Sequence, residues 1–311
     1  MVPHCVYFGS GPANISNLTE NATLMDSVKT IMHSGAFVVT GIFTFLILVT
    51  VKSTRELQRN TGYILLCQHC ICITGFNAAA TVMHSIRALH VPTVRLACWL
   101  LFDVQVVFAR GLMVTLTLMS LKTCVSVCWP LRSPDLIHRS RHFIVFTAWL
   151  LVFFNPVVFT VLSCINTPWQ KLKAQETPCS TALEGSAPRI SGLAQLGVLM
   201  ILIVASYVLI YLEGYRAGHF SQANSKGQRT ILIHGLQMGL HVLPSLIIIL
   251  RLRKSLAVEI TNLIVFCVAQ SASPIVYGLR CRDIWIQLPQ FIRVLLPCHS
   301  ITTTTDNTPH T

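Results

Sequence analysis

An all-α membrane protein, a bundle of seven transmembrane helices followed by a short amphipathic eighth helix, is the fold this sequence predicts, and three observations predict it. Charged residues make up 11% of the 311-residue chain and hydrophobic ones 53%, where a soluble domain carries about a quarter charged. The apolar residues are gathered into seven long runs, and three glycosylation sequons are packed ahead of the first of them.

The runs are Ile31–Val51, Tyr63–Ser85, Leu96–Leu121, Phe143–Cys164, Ser191–Leu212, Thr230–Leu250 and Ser255–Leu279. About 20 mostly apolar residues suffice to cross a bilayer as a helix, and a helix satisfies its own backbone where lipid offers no partner. No stretch alternates with the period of a barrel strand. No internal repeat is visible, which speaks against a typical secondary transporter.

The sequons are Asn14-Ile15-Ser16, Asn17-Leu18-Thr19 and Asn21-Ala22-Thr23, and no other occurs in the chain. They place residues 1–30 outside the cell as a glycosylated tail. No cleavable signal peptide is expected, because a polar stretch without a basic lead-in precedes the first run. The seven-helix domain then covers 31–279. An amphipathic helix follows over 280–296 on the inner membrane surface, and a Thr-rich tail over 297–311 is expected to be disordered.

Lys and Arg favour the same orientation by a modest margin. Segments read as inner hold Lys52, Arg55, Arg59, Lys122, Arg132, Arg139, Arg141, Arg216, Lys226, Arg229, Arg280, Arg282 and Arg293. The outer set is unusually basic through Arg251, Arg253 and Lys254. The formal net charge of +12 would suggest nucleic acid in a soluble protein. Here the basic residues flank apolar runs, so lipid headgroups are the expected partner and nucleic acid is not.

Chemistry-bearing motifs are sparse. No His-Glu-x-x-His and no convincing nucleophile–base pair is present, so no enzyme is read here. Cys67-Gln68-His69-Cys70-Ile71-Cys72 superficially resembles a metal cluster, yet only Cys67 and Cys70 share a helical face, and no metal or other cofactor is expected. Arg110 stands apart: no other Lys or Arg lies within an apolar run away from its ends. Asp103 is seven residues earlier, about two turns away and on a similar face.

Several stretches resemble the rhodopsin-like G-protein-coupled receptors and, within them, the fish-type odorant receptors, from the first run to about Pro297. Cys98 opens the third run and Cys179 lies in the longest loop, between Ile165 and Ile190. The resemblance implies a disulfide between them, with Cys5 and Cys164 as rival partners. Trp149 matches a tryptophan of the fourth helix, and Asn155-Pro156 marks an expected kink after it. Ser273-Pro274-Ile275-Val276-Tyr277 resembles the Asn-Pro-x-x-Tyr motif. In that reading Pro274 loosens the last helix and Tyr277 swings as the receptor switches; a kink with no switching role is the alternative. Arg229-Thr230-Ile231-Leu232-Ile233-His234-Gly235-Leu236-Gln237 is the most distinctive stretch, its basic entry facing a heterotrimeric G protein by the resemblance. Cys281 and Cys298 are palmitoylation candidates or plain thiols.

The resemblance also implies a small-molecule ligand in the outer half of the bundle. Ionisable groups inside a membrane bundle face inward toward partners or ligand. Arg110 is then either a counter-ion for an acidic ligand or the partner of a buried neighbour such as Gln105 or Gln195. Asp103 lies near the same pocket, and Gln105, Phe108, Gln195, Gln237, His241 and Gln270 are weaker candidates. Several of these would simply hydrogen-bond between helices.

The sequence departs from the family at the end of the third run. Lys122-Thr123-Cys124 replaces the acid-Arg-Tyr triplet, so the resting lock and the G-protein contact of the family's Arg do not carry over. The family's Asp of the second helix falls near Ile73, and no acid stands between Leu57 and Phe102, so a sodium-controlled switch is not expected. Three functions compete: a chemosensory receptor at the plasma membrane with its carboxyl terminus in the cytoplasm, a receptor-like protein that couples weakly or not at all and acts as a binder or dimer partner, and a channel or transporter.

Overall fold

The computed structural model describes residues 12–129, 133–183, 185–216, 235–236, 239–244, 246–247 and 256–274, and for 12–21 and 133–142 the backbone path only. In chain order the elements are α1 (Pro12–Ser53), α2 (Arg55–Arg59), α3 (Thr61–Ala88), β1 (Thr93–Val94), α4 (Arg95–Cys128), α5 (Ser133–Asn166), α6 (Trp169–Lys173), β2 (Gln175–Glu176), α7 (Ser186–Arg216) and α8 (Leu256–Pro274). Six of these helices are long and apolar enough to cross a membrane, among the described residues: Ala22–Ser53, Thr61–Ala88, Arg95–Cys128, Phe143–Asn166, Ser186–Arg216 and Leu256–Pro274. The expected run Thr230–Leu250 is described in pieces, and those pieces are helical.

The pattern of burial is that of a protein dissolved in lipid. Phe45, Phe146, Leu151 and Ile201 are exposed, while His33, Thr40, His69, Asn77, Gln270 and Ser273 are buried. In water that arrangement is costly; in hydrocarbon the outward apolar faces are solvated and the polar groups must find each other inside. The chain is an all-α membrane protein that crosses the bilayer more than once.

The first helix begins well ahead of the apolar run Ile31–Val51: α1 opens at Pro12 and runs for 42 residues. Pro12 opens the helix, where its missing N–H costs nothing. Asn14, Asn17 and Asn21 therefore lie on helical backbone. At 1.5 Å per residue α1 is about 60 Å long, roughly twice the hydrocarbon thickness, so part of it projects from the bilayer.

The bundle is packed in tiers. At one end Met83 of α3 packs with Cys98 and Cys179, whose sulfurs form a disulfide with Cα atoms 5.5 Å apart. In the middle Cys72, Ile73, Phe76 and Ala80 of α3 meet Leu112 of α4 and Phe266 of α8. Toward the other end Ile47 and Val51 of α1, Leu57 of α2, Leu66 and Cys70 of α3, Leu116 of α4 and Ile203 of α7 form one cluster. Val242 joins Met113 and Leu196, so the described part of the sixth run packs on α4 and α7.

Close approach of α3 to α4 rests on Gly75. A Cβ there would sit 2.5 Å from Cζ of Phe108, and glycine alone leaves that space. Pro156 lies inside α5 and is buried, and Trp149, about two turns earlier, packs against Phe153 at 5.8 Å between ring centroids. The long loop is tied down at the disulfide end. β1 and β2 pair antiparallel with Thr93 opposite Glu176, Arg95 forms an ion pair with Glu176, and Arg87 Nη2 donates to the Cys179 carbonyl at 3.0 Å.

Candidate functional site

The polar side chains that α1, α3, α4 and α8 turn inward form two hydrogen-bonded groups. His69, Ile73 and Asn77 lie four residues apart on one face of α3, and all three are fully buried. Asn77 Nδ2 donates to Gln270 Oε1 of α8 at 2.8 Å and to the Ile73 carbonyl at 3.0 Å. Asn77 Oδ1 is thereby left to accept from His33 Nδ1 of α1 at 2.9 Å. His33 stacks on His84 with ring centroids 5.8 Å apart, and His84 Nδ1 pairs with Asp26 at 2.9 Å. Beside them Lys29 of α1 forms an ion pair with Glu259 of α8 at 2.7 Å.

Deeper in the bundle His69 joins three helices. Its Nδ1 lies 3.0 Å from Thr115 Oγ1 on α4, and its Nε2 lies 3.0 Å from Ser273 Oγ on α8. The single hydroxyl proton of Thr115 is committed to the carbonyls of Gly111 and Leu112, at 2.8 and 3.0 Å. Nδ1 of His69 therefore donates to Thr115, and in the neutral ring Nε2 accepts from Ser273. The His241 ring stands 6.1 Å away, between centroids.

Another polar group sits on the opposite side of α4, facing α5 and α7. Arg110 Nη1 donates to Gln195 Oε1 at 2.7 Å, and Asn155 Nδ2 reaches the same oxygen at 3.5 Å. Ser191 Oγ donates to Asn155 Oδ1 at 2.7 Å. Gln195 Nε2 is buried with no hydrogen-bond partner among the described residues, and Asp103 of α4 faces the hydroxyl of Thr160 on α5. A space of about 10 Å³, the size of one water, lies between α3, α4 and α5 among Gln68, Gly111, Thr115 and Trp149.

The sequence candidates thus fall into two groups. Arg110 and Gln195 meet directly, which is the neighbour pairing weighed as the alternative to a ligand counter-ion. Gln270 and His241 belong instead to the fully buried network around His69 and Asn77. Phe108 packs on Gly75, Gln105 is half-buried, and Asp103 makes no ion pair with Arg110 among the described residues. Pro274 is buried at the end of α8. Tyr277, Gln237, Cys281 and Cys298 lie outside the described residues, as do the eighth helix and the tail.

Sequence reading missed His69, Asn77 and His33. The family's second-helix Asp was aligned near Ile73, but Ile73 is sealed in an apolar cluster. The residue facing Ser273 is His69, one turn earlier. A signal existed: two polar residues eight apart on the face that also carries Ile73.

Near the Cys128 end of α4, Lys122 Nζ lies 3.3 Å from Asn60 Oδ1, the side chain that caps the start of α3. Thr123 is exposed and its hydroxyl donates to its own helix, at the Met119 carbonyl, 2.9 Å away. Among the described residues, no three His, Cys, Asp or Glu side chains are grouped to hold a metal ion.

No protein-family model matches this chain. A protein of Danio rerio named Odorant receptor 131-2 is 26% identical to it over 267 residues, which is 80% of this chain and 79% of that relative. The likeness runs through most of both chains and supports a distant relationship to odorant receptors.

Proposed function

We propose that the chain is a seven-helix chemosensory receptor of the rhodopsin-like kind, not an enzyme. In this reading a small molecule binds in the outer half of the bundle and a heterotrimeric G protein reads the inner face. The glycosylated amino terminus is outside, the carboxyl terminus is in the cytoplasm, and the protein works at the plasma membrane. The likeness to an odorant receptor over 267 residues carries the proposal, and the membrane-crossing helices, with polar groups turned inward, support it. A ligand acts by favouring one of two helix arrangements. His69, Ser273 and Pro274 on α3 and α8, with Tyr277 beyond, are the proposed hinge of that change, and Cys98–Cys179 holds the loop over the ligand end. Asn14, Asn17 and Asn21 carry glycans, and Cys281 and Cys298 acyl chains, in the same proposal.

Expression with a promiscuous G protein, against amino acids, organic acids and volatile odorants, tests it. The expected result is a dose-dependent response from cells that also show the protein at their surface. Surface display without response to any class counts against the receptor reading. An epitope at Thr311 accessible on intact cells, or an amino terminus without glycans, overturns the orientation.

A second reading has its own observation. Lys122 is turned to Asn60 and Thr123 bonds its own helix, so neither performs the part of the family's triplet. On that basis the chain binds a ligand but couples weakly, or serves as a dimer partner.

A further inference from the structure

We propose that the corner formed by Arg110 and Gln195 recognises the carboxylate of the ligand, so that this chain is a receptor for small organic acids. The inference rests on the chemosensory reading above and names the substrate class of its site.

Donors outnumber acceptors there. The Gln195 oxygen is taken by Arg110 and Asn155, and the Asn155 oxygen by Ser191. What remains is the amide nitrogen of Gln195, buried without an acceptor, and the rest of the guanidinium. Among the described residues Arg110 makes one hydrogen bond, to a neutral amide, and no ion pair. A cation inside a membrane bundle is costly unless an anion or several acceptors face it. An amide oxygen supplies one acceptor and no charge.

A carboxylate supplies what is missing. Its two oxygens match the guanidinium fork, and it accepts from several donors at once. Gly192 stands beside Arg110, where a Cβ would lie 3.6 Å from Nη2. A phosphate would carry more charge than one arginine offsets, and an amine at the guanidinium would meet a like charge. The charge of Asp103, two turns away, bears on Arg110, but no ion pair joins the two among the described residues, so no carboxylate closes the guanidinium fork.

The test is a thermal-shift titration of the purified full chain in detergent. The probes are hexanoate and benzoate at neutral pH, their methyl esters, and hexylamine. Wild type is expected to be stabilised by the acids and not by the esters or the amine. Arg110→Gln is expected to weaken acid binding roughly 10- to 100-fold, the range of a hydrogen bond to a charged group. Arg110→Lys keeps part of the affinity. Should Arg110→Gln fold poorly, Gly192→Leu, which leaves the arginine in place but covers its edge, is expected to show the same loss. The proposal is overturned if no acid stabilises wild type, if Arg110→Gln and Gly192→Leu bind as wild type does, or if the amine is the preferred probe. A G-protein response to neutral odorants with no acid binding removes this inference and leaves the receptor reading standing. Acid binding without any G-protein response does the reverse.

Discussion

The imidazole of His69 on α3 and the hydroxyl of Ser273 on α8 meet at 3.0 Å across 204 residues of chain. The contact abuts Pro274, where the backbone lacks an N–H and the helix is easiest to bend. His69 also holds Thr115, so one ring fixes the spacing of three helices.

Replacing it tests that arrangement. His69→Phe removes both bonds, a loss of about 1–2 kcal/mol for interhelical hydrogen bonds in membranes. A lower melting midpoint in detergent is expected for H69F. Combining it with Ser273→Ala should cost less than the sum of the two single changes. Strict additivity would mean the two side chains act independently.

Gly75 predicts a steric pair. Gly75→Ala drives a methyl into Phe108, 2.5 Å from its Cζ, and overpacking of this kind costs about 1–3 kcal/mol. Surface expression should fall, and Phe108→Leu in the same chain should recover much of it. A G75A protein as abundant and as stable as wild type would show that α3 and α4 separate freely.

Loss of either partner in the Cys98–Cys179 disulfide should have the same effect. The bond closes a loop of 81 residues, worth about 4 kcal/mol by the chain-entropy estimate. Cys98→Ser, Cys179→Ser and the double change should therefore give equal loss of surface protein. Thiol labelling should find one new reactive cysteine in each single variant. Cys164 is a free thiol, and Cys5 lies outside the described residues; a new pairing with either would show as labelling that does not rise.

Acid should loosen the same loop. Burial works to raise the Glu176 carboxyl, but hydrogen bonds from Arg95 and Ser180 and the charge of Arg95 outweigh it, so it lies below the ordinary glutamate value. A carboxyl depressed in the folded state stabilises it above the ordinary value, and that contribution disappears as pH falls through the folded value. Hydrogen exchange at Thr93–Arg95 should therefore speed up as pH is lowered beneath the usual glutamate range, after correction for intrinsic rates. Glu176→Gln should abolish that pH dependence; a profile unchanged by E176Q would assign it elsewhere.

Restoring the family's triplet probes coupling. If the chain has raised basal activity, Lys122→Asp with Thr123→Arg and Cys124→Tyr should lower the ligand-free signal. Unchanged output would show that these positions do not set it.

The helices were legible because apolar length in a membrane protein is written locally. Tyr63–Ser85 and Leu96–Leu121 fall inside α3 and α4, and α4 continues past its run for about two turns, from Lys122 to Cys128. Helical backbone has no reason to stop where hydropathy does. What stayed hidden was which side chains pair. Arg110 was visible as a charge in an apolar run, and Gln195 was named as one of its two possible neighbours. His69 to Ser273 and Asn77 to Gln270 were not visible, because periodicity tells which residues share a face but not which face lies opposite. The two-residue strands Thr93–Val94 and Gln175–Glu176 escaped for a different reason: their pairing follows from the loop being folded back by the disulfide.

α3 and α4 are fastened at three heights: Arg87 to the disulfide loop at one end, Phe108 seated on Gly75 in the middle, and Lys122 reaching Asn60 at the other. Two rods pinned in this way cannot slide or splay without breaking a fastening. They behave as a stationary mast, and any stroke the molecule makes must be carried by the helices leaning on it.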